Sequence, residues 1–261
     1  MRLSHKSHNG DSELTKWRIL VVQFIFLFLE MEEGMQNITD YMKQQALLCE
    51  KNDNISVDLY SQYGVKRGLR DENGQGVLTG LTNISEIKAF EYRNGEKCPC
   101  EGELKYRGYN IRDLISGSMN ERFTFEEGAY LLLFGELPTR EELDEIQAVF
   151  AKLMTFPTNF TRDVIMKAPS SDIMSSMTRS ILTLGSYDEQ KDNIEISNVL
   201  RQCMQLIATF PLMAAYGYHA YNHYEKDQSM YIHRPSSELS IAENFLRVLR
   251  PDMKFTELEA R

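Results

Sequence analysis

The sequence predicts a mainly α-helical fold with one small β-ribbon towards its N-terminal side. Three observations predict it. From Thr124 onward apolar residues recur at three- and four-residue steps, the period of an amphipathic helix. Start and stop signals bracket those stretches in the right order, with Ser or Thr ahead of them and Gly or Pro behind. Between Gly74 and Ile111 the texture changes: Gly74, Gly76 and Gly80 lie close together, and Asn94-Gly95 marks a tight turn.

In chain order, Ile38, Tyr41, Met42, Ala46 and Leu47 recur near helical spacing and predict a helix over Met31 to Cys49, broken by Lys51 to Asn54. The ribbon's arms are read as Ile84 to Tyr92 and Glu103 to Tyr106, with Cys98-Pro99-Cys100 in the connection. Thr124 with Glu127 forms a capping box for a helix with an apolar body over Ala129 to Phe134, and Gly135 falls where a left-handed C-cap belongs. Thr139 with Glu142 opens the next helix, lined by Leu143, Ile146, Val149, Phe150 and Leu153. Ser170 or Ser171 caps a helix with the stripe Ile173, Met177, Ile181 and Leu184, ending at Gly185. Asp188 to Asn193 reads as a polar loop. Ile196 to Tyr221 is apolar on several sides, which predicts a buried helix broken or kinked at Pro211. Pro235-Ser236-Ser237 starts another, with Ile241, Phe245 and Leu249 facing inward and Pro251 stopping it. Thr256 with Glu259 is a last capping box, after Phe255, and the chain stops at Arg261. A start signal with one turn behind it points to a truncated sequence, because a single turn cannot bear its own nucleation cost.

At 261 residues, 42% hydrophobic and 26% charged, the chain has the composition of a globular protein with a sizeable core. A formal net charge of -9 argues against a nucleic-acid partner, because such surfaces neutralise phosphates with clustered Lys and Arg. Four scattered cysteines do not make a disulfide framework, which fits a reducing compartment and a cytoplasmic location. Ile19 to Leu29 is almost wholly apolar and resembles a signal h-region. It is shorter than a membrane span needs, no A-x-A-like site follows, and Glu30, Glu32 and Glu33 come at once after it. No membrane partner is expected, and the preferred reading is a non-native extension, with the protein beginning near Met31 or Met35.

Few residues suggest chemistry. His219 and His223 are four apart on one helical face, yet no carboxylate or cysteine with ligand spacing joins them, so no metal is expected there. Cys98-x-Cys100 lacks both a second pair for zinc and the C-x-x-C redox spacing, and reads as a turn. Arg67, Arg70 and Asp71 beside glycines suggest an anion loop, but no phosphate-binding motif follows a strand into a helix. Glu126-Glu127 and Glu141-Glu142 sit in first helical turns, where carboxylates favour the dipole. His233-Arg234 stands out: it lies between two helices, and an Arg beside a His suits carboxylate recognition.

Several stretches taken together resemble the citrate synthases, especially the bacterial type. They are GVLTGLTNIS (76–85), GELKYRGYNIRDLI (102–115), FEEGAYLLLFGELPTREELDEI (125–146), FPLMAAYGY (210–218), HRP (233–235) and ELSIAENFLRVL (238–249). The match covers roughly Val57 to Arg261, and the order and spacing of its parts are what make it specific. The resemblance implies a multi-helical citrate-synthase-like large domain with a small N-terminal β-ribbon. It implies a homodimer that condenses acetyl-CoA, a substrate and not a cofactor, with oxaloacetate to give citrate and CoA. The domain reading is an N-terminal extension over 1–34, and over 35–261 the N-terminal part of the large domain, truncated before the catalytic histidine segment. In the family a carboxylate removes a methyl proton, one His stabilises the enolate and another polarises the oxaloacetate carbonyl; none of the three is expected in this chain. The family's H-A-[ED]-H-x-x-x-N motif is expected just after FTELEAR. His233 alone is assigned to substrate binding, at the oxaloacetate pocket. Where many relatives carry a His in L-S-H-A-x-N-F, this chain has Ile241. The 2-methylcitrate synthases share these motifs, so propionyl-CoA stands as an alternative acyl donor, and a non-catalytic helical interaction module as a rival from another class.

Overall fold

The computed structural model describes residues 34, 36–52, 55–65, 81–117 and 123–260, in two compact units, Met1–Gln44 and Gln45–Arg261. The apolar segment Ile19 to Leu29, the extension over 1–34 apart from Gly34, and Arg67, Arg70 and Asp71 lie outside the described residues. Helix α1 covers 36–52, so Lys51 and Asn52 of the predicted break are still helical, while residues 53–54 lie outside the described residues. Within the first unit Gln36 Nε2 donates to Asp40 Oδ1 at 3.2 Å, one turn on. Leu47, placed on the inward stripe by its spacing, is 68% exposed.

In the second unit a short helix α2 (Val57–Gln62) precedes a three-stranded antiparallel sheet of β1 (Ser85–Arg93), β2 (Glu96–Tyr106) and β3 (Tyr109–Asn110), in the order β1-β2-β3. Both of its turns have two residues with positive φ, Asn94 at 55° with Gly95 at 85° and Arg107 at 48° with Gly108 at 87°. That backbone matches the right-handed twist of paired strands, so the Asn-Gly signal places the hairpin correctly. The second arm is longer than its sequence suggests. Cys98, Pro99 and Cys100 lie inside β2, with Pro99 opposite Phe90, and not in the connection. Pro99 is in the last pair of the hairpin's end of the ladder, and the register slips just beyond it, between Lys88 and Phe90.

Helix α3 (Ile111–Gly117) leads to α4 (Thr124–Phe134). The N-cap position of α4 is Phe123, left-handed at φ 71°, and Thr124 is already helical; the capping box drawn from T-x-x-E is displaced by one residue and does not set this start. The C-terminus is as expected, with Gly135 at φ 88° and its N–H returning to Leu131 O. The next three carbonyls of α4 are satisfied from far away in sequence. Arg107 Nη2 donates to Leu132 O at 3.0 Å, Cys49 Sγ to Leu133 O at 3.3 Å and Asn52 Nδ2 to Phe134 O at 2.7 Å. Arg107 also donates to Asn83 Oδ1, and Asn83 Nδ2 to Asn52 O, which closes the ring of contacts.

Helix α5 (Arg140–Leu153) starts at the predicted box, with Thr139 N donating to Glu142 Oε2 at 2.7 Å, and buries Leu143, Ile146, Val149 and Phe150. After a π-helical turn over Thr161–Ile165, α6 (Ile173–Leu184) is capped by Asp172, whose carboxylate accepts from Ser175 N at 3.0 Å, and not by Ser170 or Ser171. Its buried face is Ser176, Ser180 and Leu184, while Ile173, Met177 and Ile181 are half-buried at the flank. Small residues face inward because α6 packs closely on α7 (Ile196–Lys226): a Cβ on Gly217 would lie 3.9 Å from Ser176 Cβ. The 31-residue α7 runs unbroken through Pro211 and packs against α5, α6 and α8 (Ile241–Leu249), so the predicted break does not occur. Tertiary packing on three sides holds the turn where the proline has no N–H to give. Helix α9 (Glu257–Ala260) starts at the predicted Thr256–Glu259 box. There Arg250 Nη2 reaches Glu259 at 2.6 Å and, with the Thr256 bonds, holds that carboxyl down at about 2.

Gly135 is the tightest joint in this framework, since a Cβ there would sit 2.7 Å from Asn52 Cβ and force a left-handed residue to carry a side chain. Gly135→Ala is expected to lower unfolding free energy by about 2 kcal/mol in urea titration, from the left-handed penalty and the displaced Asn52. A variant as stable as the wild type would show that this joint is slack.

Candidate functional site

His233 lies in the segment 227–240 that connects α7 to α8. That segment leaves α7 through Asp227, left-handed at φ 52°, while Gln228 N bonds back to Asn222 O. His223 Nδ1 lies 2.8 Å from the Gln228 carbonyl, so it carries the proton and donates. The segment is then tied down residue by residue. The Tyr216 hydroxyl donates to the His233 carbonyl at 2.6 Å, and Arg247 Nε donates to the Arg234 carbonyl at 3.2 Å. Asn244 accepts from Ser236 N at 2.8 Å and donates to Ser236 O and Leu239 O.

These bonds move the start of α8. Pro235-Ser236-Ser237 does not open the helix: a turn over Ser236–Leu239 follows, with Leu239 N on Ser236 O at 3.3 Å, and the N-cap is Ser240, in a capping box with Glu243. The inward residues are accordingly Ile241, Asn244 and Val248, with Phe245 and Leu249 half-buried. Glu126, read from sequence as a dipole partner in its own helix, is only 1% exposed and accepts from Ile241 N at 2.7 Å. A carboxylate from α4 therefore caps α8. The clue was available: Glu126, Tyr130 and Phe134 are four apart and form one buried stripe.

At the opposite end of α8 two histidines meet its last turn. His219 Nε2 lies 3.0 Å from Val248 O, and His233 Nε2 lies 3.1 Å from Pro251 O. A carbonyl only accepts, so each Nε2 carries a proton. The Tyr231 ring stands between them, with centroids 5.7 Å from His219 and 5.8 Å from His233. His219 is buried, and desolvation above all, with the charge of His233 adding to it, pushes its pKa below the ordinary value. Burial pushes the Tyr216 hydroxyl up to about 12 against the pull of Arg234. In the neutral state His233 has only Nδ1 left for a ligand, as an acceptor. Donating from it to a carboxylate requires the imidazolium.

His219 and His223 do not converge on a metal, since each is bonded to a backbone carbonyl, and among the described residues no group of three His, Cys, Asp or Glu is arranged to hold one. A cleft of about 380 Å³ lies elsewhere, between α6 and α7. It is lined by Tyr187, Asp188, Lys191, Arg201 and Gln202 among others. There burial pushes the Asp188 carboxyl up, but hydrogen bonds from Gln202 and Arg201 outweigh it and hold the group below its usual value. The structure thus brings His233 together with His219, Tyr216 and Tyr231, and not with the cleft between α6 and α7.

Residues 69–261 match the family described as Citrate synthase, C-terminal domain. The chain is 30% identical over 149 residues to a citrate synthase of Corynebacterium glutamicum, an overlap of 57% of this chain and 32% of that protein. It is 32% identical over 116 residues to a 2-methylcitrate synthase of Shewanella oneidensis, covering 44% of this chain and 28% of that one. The crystal structure of citrate synthase from Pyrobaculum aerophilum superposes with a TM-score of 0.57 at 24% identity, over 74% of this chain and 46% of the other, a likeness of fold. The chain spans about a third of the length of these curated relatives.

Two outcomes follow from the geometry. Glu126→Ala is expected to cost about 2 kcal/mol in chemical denaturation, the scale of a lost charge-assisted bond at a buried donor, whereas Glu126→Gln keeps an acceptor and recovers most of it. For His219 the sign is fixed by burial: the unfolded chain takes up its proton near pH 6.5 and the folded one only below that. Its contribution is whole above about pH 6.5 and is lost as pH falls through the window below. The stability gap between wild type and His219→Gln should therefore shrink between pH 7.5 and pH 5; a constant gap would contradict this.

Proposed function

The chain belongs to the citrate synthase family, and from that premise we propose that it serves an acyltransferase that condenses acetyl-CoA with oxaloacetate and water to give citrate and CoA. The observation that carries the reading is the family match over 69–261, which takes in every described helix from α3 to α9. In this reading the chain supplies the helical scaffold. The base that removes the methyl proton, the group that stabilises the enolate and the group that polarises the ketone lie outside these 261 residues, in keeping with the share of the curated relatives that the chain spans. Such chemistry needs all three held together and away from water.

His233 is proposed to face oxaloacetate. Its ring is held through Nε2, and its neighbour Arg234 brings a positive charge that suits a carboxylate. A homodimer is proposed as the assembly. Met174 and Leu182, 73% and 75% exposed with Thr178 between them on α6, form an apolar stripe that a second copy would cover. The cytoplasm is the proposed location. Among the described residues no helix is long and apolar enough to cross a membrane. The likeness to the Shewanella oneidensis 2-methylcitrate synthase gives a second reading, propionyl-CoA as the acyl donor.

The test is CoA thiol release from oxaloacetate with either acetyl-CoA or propionyl-CoA, measured for this chain alone and for the product of the longer reading frame. Turnover by the longer product and none above background by the 261 residues is the expected result, and the better thioester identifies the acyl donor. Turnover by the short chain, or none by the long one with either thioester, would refute the proposal; the second outcome would favour a non-catalytic interaction module.

A further inference from the structure

The ribbon places two thiols together in a way that the citrate synthase reading does not use. Cys98 and Cys100 are free, half-buried, and flank an exposed Pro99, so they lie on one face of β2. They differ in how they are held. Cys98 sits in the ladder opposite Glu91. Cys100 sits in the bulge, where Cys100, Glu101 and Gly102 of β2 all face the single residue Ala89 between the Lys88–Glu103 and Phe90–Pro99 pairs. A bulge re-aims a side chain, so one thiol is fixed and the other adjustable.

We propose that Cys98 and Cys100 form a two-thiolate site for a soft monovalent metal ion. In a regular strand, residues two apart have Cα atoms about 6.6 Å apart with parallel Cβ vectors, which disfavours the short Cβ separation a disulfide needs, and the bulge lets Cys100 turn from that direction. Two metal–sulfur bonds of about 2.3 Å in line span about 4.6 Å, which rotation about the Cα–Cβ bonds spans. The ion keeps its charge: each thiol releases one proton and gives its sulfur lone pair, leaving an anionic dithiolate complex. The nearby carboxylates are engaged elsewhere, Glu91 with Arg93 and Glu101 with Arg112 at 2.7 Å. The donor set is therefore sulfur alone, which selects Cu(I)-like ions over hard or borderline divalent ones.

The test is anaerobic Cu(I) titration of the reduced 261-residue chain against a chromogenic Cu(I) chelator. One ion per chain is expected, with affinity falling by about 100-fold in Cys98→Ser and in Cys100→Ser, the loss that accompanies removal of one of two linked ligands. Cys203→Ser, on exposed α7 surface, should bind as the wild type does. Because Cys100 lies outside the paired ladder, its variant remains decisive even where Cys98→Ser disturbs the ribbon. No binding by the wild type, undiminished binding by Cys100→Ser, or loss of binding in Cys203→Ser would each overturn the site.

Discussion

An α-helix leaves its last four carbonyls without internal partners, and the way α4 satisfies its four fixes where two other segments of the second unit must lie. One acceptor is served locally, by the amide of Gly135. The others draw in the end of α1 twice, through Cys49 and Asn52, and the turn between β2 and β3 once, through Arg107. A side chain that satisfies a buried carbonyl is costly to misplace, so these bonds act as locators more than as sources of net stability. The ribbon shows the need plainly. Its strands are exposed along most of their length, and a two-stranded ribbon alone is marginal; the Arg107–Asn83–Asn52 chain is what fastens its base.

The same helix locates α8 from its other end. Glu126 reaches Ile241 N across 115 residues of sequence, and the Ser240–Glu243 box supplies the rest of the cap. The last turn of α8 is then met by His219 and His233, so both its ends are held by groups from outside it. Nine residues alone would be too short to persist in water. Its place is set by α7, whose length of about 46 Å lets one rigid element touch α5, α6 and α8 in turn. Small residues line the approach of α6 to α7, where a Cβ on Gly217 would lie 3.9 Å from Ser176 Cβ, an ordinary contact.

Features set by a few neighbouring residues were legible in the sequence. Asn94-Gly95, Gly135, the Thr139–Glu142 box and the Thr256–Glu259 box each rest on local backbone geometry, and each is found where it was read. Features decided by what lies across the fold were not. Serine on the inner face of α6 is invisible to a search for apolar stripes, because close packing there favours small side chains over greasy ones. Asp172 and Ser240 were passed over for nearby serines because several residues compete for one cap, and the winner is fixed by where the helix must aim. Glu126 was read as a dipole partner within its own helix because its partner amide is remote. Cys98-Pro99-Cys100 was read as a turn because proline usually ends a strand, and only the register of β1 shows Pro99 paired with Phe90. Of the candidate site, His233 and its setting between helices were legible; the Tyr216, Tyr231 and His219 contacts were not, since they depend on how α7 crosses the segment.

The histidine pair also limits what chemistry this part of the chain can perform. Each imidazole has committed its Nε2 proton to a carbonyl of the segment 248–251. A ring in that state can hold a backbone in place and present Nδ1, but it cannot abstract a proton through Nε2 without giving up the bond that orients it. His219 is further removed from catalysis by burial, which favours its neutral form. His233 is less buried than His219 and adjacent to Arg234, whose guanidinium brings a positive charge beside the ring. Recognition and proton abstraction make opposite demands on an imidazole, a charged donor in one case and a neutral acceptor in the other. At the end of α8 the bond from His233 Nε2 to Pro251 O leaves Nδ1 to meet one demand or the other according to protonation, as an acceptor in the neutral ring or a donor in the imidazolium.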